Sequence, residues 1–458
     1  MSLHVVILAA GQGRRMHSSQ PKVLHKIGGE AMLVRVVNTA KTLMPQGIHV
    51  IYGHGGEQIK EALPKLAVNW VKQANQLGTG HAVMQALPFI DDKSQVLVLS
   101  ADVPLIEAST LSALVERCTP QGEQTTPLGL LLASLENPTG LGRIVRDEHA
   151  QIQAIVEERD ANEKQRQINE IYSGICCAKA HDLKRWLPNL DSGNAQGEYY
   201  LTEIIAKAVS ERLPIVSLSV TDPMEILGVN NRLQLQQLER IWQQHLAENF
   251  MLAGVHIADG KRFDVRGTLT CGWDVSIDVN AVFEGDVVLG DRCQIGANCV
   301  LRDVSLGADC VIAENSVLEG CLIGDACQIG PFARIRPGTQ LAEKCKIGNF
   351  VETKKATFGA GSKASHLSYL GDITVGKRVN IGAGTITCNY DGVNKHQTII
   401  EDGVFVGSDT QLVAPVTVGA NATIGAGSTI RKNVSAGDLA LTEAKQKAIS
   451  GWKRPVRS

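Results

Sequence analysis

A glycine-rich segment near the N-terminus has the composition of a phosphate-binding loop. The sequence Gly11-Gln12-Gly13-Arg14-Arg15 follows an apolar run directly, and Pro21-Lys22 comes shortly after it. Glycines let the backbone approach a ligand closely, so successive N–H groups can surround a phosphate, and Arg15 and Lys22 add positive charge. The segment is neither a P-loop, which needs G-x-x-x-x-G-K, nor a dinucleotide fingerprint, because position 16 is methionine. We therefore predict a nucleotide-phosphate site here.

A second group of reactive side chains lies where polar residues interrupt the repetitive second half of the chain. The first interruption holds His366 together with Lys354 and Tyr369, and the second begins with Asn389-Tyr390. Imidazole takes up a proton near neutral pH and is the commonest general base. An isolated loop histidine is more often merely solvated, but the cation and the tyrosine nearby favour a catalytic role for His366.

The first 230 residues alternate strand-like and helix-like segments. A polar–apolar stretch of helical period runs from Met32 to Leu43. Such alternation predicts an α/β, Rossmann-like domain with a mostly parallel sheet, whose ligands bind outside the C-terminal ends of the strands. Residues 231–252 are expected to form an amphipathic connecting helix. The predicted strands are Val5–Ala10, Ile48–Tyr52, Val68–Val71 and Val96–Ser100.

A ladder of aliphatic residues, mostly six apart, runs from residue 253 to about residue 434. No α-helix has a period of six, whereas a coil of three short strands places one inward side chain on each strand. Coils stacked about 4.8 Å apart bury the ladder as a continuous core. We therefore predict a solenoid of the parallel β-helix type. Its ladder residues are Val265, Cys271, Ile277, Phe283, Leu289, Ile295, Leu301, Leu306, Ile312, Leu318, Ile323, Ile329, Ile335, Leu341, Ile347, Ile400, Val406, Leu412, Val418, Ile424 and Ile430.

Composition limits the classes of function. The 458 residues carry a net charge of −2, so several domains are expected and a general nucleic-acid binder is disfavoured. No signal peptide is recognised and no apolar run approaches 20 residues, which predicts no membrane insertion. The 11 scattered cysteines indicate a reducing cytoplasm. The basic tail is either simply solvated or functional; its cations are Lys445, Lys447, Lys453, Arg454 and Arg457.

Together these motifs resemble those of sugar-1-phosphate nucleotidyltransferases. With the solenoid attached, nearly the whole chain resembles the family of bacterial bifunctional N-acetylglucosamine-1-phosphate uridylyltransferases and glucosamine-1-phosphate acetyltransferases. The resemblance implies a left-handed parallel β-helix, a homotrimer, Mg²⁺ as cofactor, and acetyl-CoA and UTP as substrates. It also implies a uridylyltransferase (pyrophosphorylase) domain over 1–230, a linker helix over 231–252 and an acetyltransferase domain over 253–458.

In the first domain, the resemblance implies that a sugar-1-phosphate oxygen attacks the α-phosphorus of UTP and releases pyrophosphate. Arg15 and Lys22 would hold the phosphates as catalytic residues, and Asp102 and Asn230 would bind Mg²⁺, which prefers hard oxygen ligands. Positioning and electrostatics carry most of such catalysis. The implied nucleotide and sugar contacts are Leu8, Ala9, Ala10, Gly11, Lys22, Gln73, Gly78, Thr79, Ser100, Asp102, Gly142, Glu157, Tyr172 and Asn230.

In the second domain, the resemblance implies that His366 is the base for acetyl transfer, with Glu352 as its expected orienting partner. Glucosamine-1-phosphate would be bound by cations and by polar side chains of the sugar site. Each site would combine residues of neighbouring chains. The implied sugar-phosphate contacts are Arg336, Lys354, Tyr369 and Asn380, and the implied acetyl-CoA contacts are Ala383, Asn389, Tyr390, Ser408, Ala426 and Glu443.

Three positions depart from the pattern of the family. Tyr172 stands where asparagine is usual, Ser100 where tyrosine is frequent, and Glu443 where an arginine commonly contacts CoA. Two alternatives remain: a single-activity nucleotidyltransferase with a structural, trimerising solenoid, and a non-catalytic trimeric scaffold. The polar cluster around His366 disfavours the first, and the combination of Arg15, Lys22 and Asp102 disfavours the second.

Overall fold

The computed structural model describes residues 2–53, 55–119, 126–194, 197–443 and 445–455. The chain divides into two compact units, Met1–Trp242 and Gln243–Ser458. Of the basic tail identified in the sequence, Arg457 lies outside the described residues. None of the helices in these ranges is long and apolar enough to cross a membrane.

The first unit is built on a mostly parallel sheet, as predicted. Its central strand Leu3–Leu8 pairs in parallel with Gln95–Ser100 and with Gly47–Tyr52. These strands are apolar runs because helices cover both faces of the sheet. Only Glu170–Lys179 runs antiparallel to its neighbours along the main path. From edge to edge the order is Ile215–Ser219, Leu128–Ser134, Glu170–Lys179, Gln95–Ser100, Leu3–Leu8, Gly47–Tyr52 and Asn69–Lys72.

Short strands and helices complete this unit. The hairpin of Arg143–Arg146 and Ile152–Val156 joins the sheet beside Glu170–Lys179, and Lys26–Ile27 pairs with Glu30–Ala31. The α-helices are Met32–Thr42, Gly56–Ala62, Thr79–Ala86, Ala108–Arg117, Glu163–Arg166, Ala180–Trp186, Ile204–Ser210 and the start of Arg232–Leu252. The 3₁₀ helices are Arg14–Met16, Lys22–Leu24, Leu87–Phe89, Leu187–Asn189, Leu201–Glu203 and Pro223–Ile226.

The connecting helix predicted over 231–252 is present as Arg232–Leu252. On its N-terminal half, Leu238 is buried. The Trp242 indole occupies the space beside Gly28, where an added Cβ would lie 2.3 Å from Nε1. On its C-terminal half, the buried Gln243 side chain exchanges hydrogen bonds of 2.7 and 2.8 Å with the backbone of Val265. That exchange satisfies backbone groups of the first long strand of the second unit.

The second unit is a parallel β-helix. Ile277 pairs with Ile295, 18 residues later, and Ile295 pairs with Ile312. The ladder is buried as predicted, except that Cys271 is only partly covered. The strands are His256–Ile257, Phe263–Cys271, Ser276–Ile277, Ala281–Leu289, Gln294–Ile295, Val300–Leu306, Val311–Ile312, Val317–Ile323, Gln328–Ile329, Arg334–Ile335, Gln340–Leu341, Lys346–Asn349, Glu352–Phe358, Lys363–His366, Tyr369–Val375, Asn380–Ile381, Ile386–Cys388, Thr398–Ile400, Phe405–Val406, Gln411–Val413, Val416–Val418, Thr423–Ile424, Thr429–Ile430 and Leu439–Ala440, and one 3₁₀ turn is Gly260–Arg262.

The corners of the coils need left-handed backbone conformations. Asn298 and Asn315 occupy one such corner column with φ near 60°, and asparagine tolerates this region because its side chain bonds locally. Further along the same column the corner residues are Phe332, Phe350 and Leu367, which also have positive φ. These three side chains are 50%, 55% and 62% exposed. The corner therefore changes from polar to apolar where the ladder reaches the His366 region.

Candidate functional sites

The glycine loop and the metal-binding residues predicted from the sequence meet at the edge of the first sheet. Leu8 and Ser100 are register partners at the C-terminal ends of adjacent parallel strands, so the segments that follow each strand emerge side by side. A cleft of about 490 Å³ lies there, a size that suits a nucleotide. It is lined by Leu8, Ala9, Ala10, Gly11, Gln12, Arg14, Lys22, Val23, Gln73, Gln76, Gly78, Thr79, Ala82, Ser100, Asp102 and Glu198.

A cation already occupies the centre of the predicted metal-binding residues. The Lys22 ammonium pairs with Asp102 Oδ2 and lies 3.4 Å from Asn230 Oδ1. Ser100 Oγ donates to Asp102 Oδ1 at 2.5 Å and fixes the orientation of the carboxylate. One carboxylate and one amide oxygen therefore converge on a positive charge. This donor set fits a hard divalent cation, which completes its coordination with substrate phosphates and water.

Both arginines after the glycine loop are exposed, and Arg14 is among the residues that line the cleft. The phosphate contact predicted for Arg15 stays a prediction. Arg14 Nε donates to Gln12 Oε1 at 2.7 Å, and Gln12 in turn donates to Gln76 at 2.9 Å. The left-handed Gly13 begins the 3₁₀ turn Arg14–Met16 that carries both arginines.

Gln73 is buried beneath the Gly78-Thr79 turn. Its Nε2 group donates to Gly78 O at 3.1 Å and contacts His81 Nδ1 at 2.9 Å, so both amide protons are used. The Oε1 atom is then the part of the amide that can accept from a ligand. Sequence reasoning missed His81, which lies on the first turn of the helix Thr79–Ala86.

A second cavity of about 250 Å³ adjoins the cleft and contains the residues predicted to bind sugar, Gly142, Glu157, Tyr172 and Asn230. Burial raises the pKa of Glu157 above its ordinary value. Tyr172 N donates to Gly142 O at 3.0 Å, which joins the two sides of the cavity. The phenol is buried and hydrogen-bonds toward Cys176, and burial raises the pKa of Tyr172. The Tyr172 hydroxyl therefore finds its hydrogen-bond partner in the protein interior.

His366 and Asn349 end two neighbouring strands of the β-helix and are register partners. His366 Nδ1 lies 2.7 Å from Asn349 Oδ1. Glu352, the expected orienting partner, is bound within the same chain to Arg336 Nη1 at 2.7 Å, and its contact with His366 stays a prediction. Glu352 begins the strand after the corner, where Arg336 on the preceding coil is the nearer partner.

Three cations gather beside Glu352. Arg336 and Lys354 lie on successive coils. Lys395 reaches them from the inserted loop, residues 389–397, which connects the strands Ile386–Cys388 and Thr398–Ile400. A hydrogen bond between the two lysine side chains, with repulsion from Lys395 and Arg336, lowers the pKa of Lys354. An anion placed among these groups would relieve that repulsion. Lys395 was missed in the sequence because the loop separates it from the other two.

The inserted loop has a defined shape. Asn389 donates from Nδ2 to Asp372 Oδ2 at 2.5 Å, and Tyr390 forms an antiparallel bridge with Lys395. Asp391 accepts from the backbone at 2.7 and 2.8 Å and pairs with His396 at 2.7 Å. The bond from the Asn394 backbone N–H, and then the His396 contact, lower the pKa of Asp391. The loop therefore presents Tyr390, 60% exposed, beside the cation group.

The predicted acetyl-CoA residues Ala383, Ser408 and Ala426 share one corner column with His366. Ala383 O accepts from Asp409 N at 2.7 Å, and Ser408 O accepts from Gly427 N at 2.8 Å. The register Lys363↔Asn380, continued by three residues, sets Ala383 next to His366. Small residues thus extend from the histidine along the corner of the β-helix.

Three predicted residues stand apart from this column within one chain. Asn380 lies in the 11-stranded sheet on one side of the corner, and Tyr369 lies in the 13-stranded sheet on the other side. Glu443 is exposed and follows the last strand, Leu439–Ala440. The contacts predicted for these three residues stay predictions.

Comparisons with known proteins agree with both halves of the chain. Residues 5–129 match the MobA-like NTP transferase domain, residues 265–358 the GMPPB C-terminal domain, and residues 397–432 the bacterial transferase hexapeptide (six repeats). An α/β nucleotidyltransferase unit followed by a hexapeptide-repeat β-helix with its own polar site defines a two-site transferase.

Full-length relatives give the family. The chain is 65% identical over 457 residues to "Bifunctional protein GlmU" of Legionella pneumophila (strain Corby), covering 100% of this chain and 99% of the relative. It is 56% identical over 456 residues to the protein of the same name from Marinobacter nauticus, with the same coverage. The chain belongs to the family of the bifunctional protein GlmU.

Proposed function

We propose that the cleft of the first unit carries out uridylyl transfer and that the His366 corner of the second unit carries out acetyl transfer. As a member of its family the chain is a bifunctional acetyltransferase and uridylyltransferase. The observation that supports this division of labour is the presence of one separate group of cationic side chains in each unit. Acetyl transfer to glucosamine-1-phosphate would supply N-acetylglucosamine-1-phosphate for the first unit, giving UDP-N-acetylglucosamine.

In the first unit, Lys22 and Arg15 would bind the triphosphate above the glycine loop, with Arg14 lining the same cleft. Gln73 Oε1 would accept from the N3–H group of uracil, and Glu157 would accept from a sugar hydroxyl. A phosphate oxygen of the sugar attacks the α-phosphorus of UTP, and the bond to the β-phosphate oxygen breaks to release pyrophosphate. Holding both phosphates in line is the main task of these residues.

The divalent cation of this site is proposed to be Mg²⁺, held by Asp102 and Asn230. In the described residues no group of three or more histidine, cysteine, aspartate or glutamate side chains forms a metal site. The single carboxylate therefore suits a cation that takes most of its ligands from phosphates and water, as Mg²⁺ does. When bound, it would neutralise charge on the triphosphate. Lys22 would then be released to contact phosphate.

In the second unit, Arg336, Lys354 and Lys395 would bind the phosphate of glucosamine-1-phosphate, with Tyr369 and Asn380 as sugar contacts. The amine nitrogen of the sugar would attack the thioester carbonyl carbon, and His366 Nε2 would take a proton from that amine. The C–S bond then breaks, and the CoA thiolate leaves and is protonated. Acetyl-CoA would lie along the corner column that contains Ala383, Ser408 and Ala426, with Asn389, Tyr390 and the tail completing its site.

The assembly is proposed to be a homotrimer. The apolar corner side chains Phe332 and Phe350 stack with ring centroids 5.4 Å apart, and Leu367 continues the column. Contiguous exposed apolar surface marks an interaction site. A neighbouring chain packed on this column would also bring its own residues to His366. Phe332→Ser with Phe350→Ser should yield monomers in sedimentation velocity.

A cytoplasmic location is also proposed. It is supported by the 11 cysteines, all of which are free thiols in the structure. Most of these thiols are buried in the core, so they pack as small apolar groups. A reducing compartment keeps such thiols unpaired.

The decisive experiment uses purified protein with glucosamine-1-phosphate, acetyl-CoA, UTP and Mg²⁺, each omitted in turn. Free thiol should require the first two substrates only. Pyrophosphate should require UTP, Mg²⁺ and an acetylated sugar phosphate, whether supplied or made in the reaction. Pyrophosphate without any thiol release would favour the single-activity nucleotidyltransferase with a structural solenoid.

A further inference from the structure

The contact between Asn349 and His366 is built into the register of the β-helix. Their strands, Lys346–Asn349 and Lys363–His366, lie on successive coils, and Leu367 N donates to Asn349 O at 3.0 Å. Between them the backbones are so close that a Cβ added at Gly348 would lie 2.0 Å from Ser365 O. The Asn349 and His366 side chains therefore project from the same corner on successive coils, within hydrogen-bonding distance of each other.

The main chain of His366 is held from the other side as well. Ser368 Oγ donates to His366 O at 2.9 Å. The imidazole itself is exposed, so its orientation depends on the Asn349 contact. In the part of the chain that the structure describes, no carboxylate forms an ion pair with this ring, in contrast to His396 and its partner Asp391.

The chemistry of the contact selects one form of the ring. An amide oxygen can only accept a hydrogen bond, so Nδ1 must carry the proton when it faces Asn349 Oδ1. In the neutral ring Nε2 then holds the free lone pair. Fixing the tautomer through a partner on the other nitrogen is the usual way in which a catalytic histidine is prepared as a base.

We propose that Asn349 is a positioning residue for acetyl transfer: it holds His366 in the tautomer and orientation in which Nε2 accepts the proton of the attacking amine. The proposal rests on the acetyl-transfer role proposed for His366. A neutral amide does this without adding a negative charge next to the ring.

The test compares full-length variants that differ in the acceptor atom. Asn349→Ala removes the acceptor, Asn349→Asp keeps an oxygen acceptor, and Asn315→Gly removes an amide from the same corner two coils earlier as a control. Thiol release from acetyl-CoA with glucosamine-1-phosphate is measured over pH 6–9. Uridylyl transfer and thermal melting are measured on the same samples.

We expect Asn349→Ala to lower kcat for acetyl transfer about 10–100-fold, since general-base catalysis contributes about 10²–10⁴-fold. The KM values should change less than twofold. Asn349→Asp should recover most of kcat and move the acidic limb of the pH–rate profile to higher pH, because a nearby negative charge favours the protonated ring. Asn315→Gly should behave as the parent.

Two results would overturn the proposal. One is an Asn349→Ala enzyme with kcat within twofold of the parent; the other is an Asn349→Asp enzyme that is as impaired as Asn349→Ala with an unchanged pH profile. His366→Ala serves as the reference. If His366→Ala is inactive while Asn349→Ala is not, only the positioning role fails; if His366→Ala keeps full activity, the proposed role of the histidine fails as well.

Discussion

Arg143 Nη2 donates to Glu158 Oε2 at 2.6 Å, and the same oxygen accepts the backbone N–H of Gly140 at 3.2 Å. The arginine is 1% exposed and begins the strand Arg143–Arg146 beside the sugar cavity. The pair therefore ties the loop that carries Gly140 and Gly142 to the end of the neighbouring strand. The Gly140 N–H bond, and then Arg143, lower the pKa of Glu158.

We expect Glu158→Gln to raise the KM for N-acetylglucosamine-1-phosphate about tenfold, because loss of a charged hydrogen bond costs about 1.5–3 kcal/mol and loosens the loop. Acetyl transfer should be unaffected. The exposed Glu148→Gln, on the same hairpin, is the control. Because the folded-state pKa is lowered, the stabilising effect of Glu158 is present above its ordinary pKa and lost as pH falls through the lowered value. Equal KM values in the two variants would contradict this role.

Asp102→Asn should abolish pyrophosphate release and leave thiol release nearly intact. The substitution keeps an oxygen beside Ser100 but removes the negative charge that pairs with Lys22. It also weakens the binding of a divalent cation at this position. Pyrophosphate and thiol are measured separately, with N-acetylglucosamine-1-phosphate supplied for the first assay. Ser109→Ala, an exposed position on the helix Ala108–Arg117 of the same unit, controls for general perturbation. Equal loss of both activities in a folded protein would contradict separate sites.

The ladder shows what a sequence can predict about this molecule. Its period of six determines which side chains point inward, because each short strand contributes one inward position. The same rule cannot reveal that Asn349 and His366 meet, since their contact depends on how two coils align at a corner. The contact between Lys395 and Lys354 depends on the conformation of the loop that carries Lys395, which the period of the ladder does not determine.

A pair of buried histidines should make the first unit sensitive to acid. His4 Nδ1 lies 3.1 Å from His49 Nε2, and Phe89 stacks on His49. Among the residues that the structure describes, His49 Nδ1 has no hydrogen-bond partner. Burial, and then His4, lower the pKa of His49 to about 4. Burial likewise lowers the pKa of His4, opposed by Gln46 and Asp91.

The folded state keeps this pair neutral, whereas the unfolded chain takes up protons below about pH 6.5. The free energy of unfolding of the first unit should therefore fall by up to about 3 kcal/mol between pH 6.5 and pH 4. His49→Leu should flatten this dependence in urea titrations at pH 7 and pH 5. His149→Ala, which changes an exposed histidine of the same unit, should retain the full slope. Parallel slopes for the parent and His49→Leu would refute the assignment.

The C-terminal tail should decide how strongly this chain binds acetyl-CoA. Glu443, Lys445 and Lys447 are all exposed after the last strand. Near the CoA phosphates, each unit-charge interaction at about 5–6 Å is on the order of 1–3 kcal/mol. We expect Glu443 to point away and the lysines to contact the phosphates. Lys445→Ala with Lys447→Ala should then raise the acetyl-CoA KM and flatten its salt dependence, whereas Glu443→Arg should change KM less than tenfold. A normal KM in the double variant, with a more than tenfold lower KM in Glu443→Arg, would show that the lysines do not compensate and that Glu443 itself weakens donor binding.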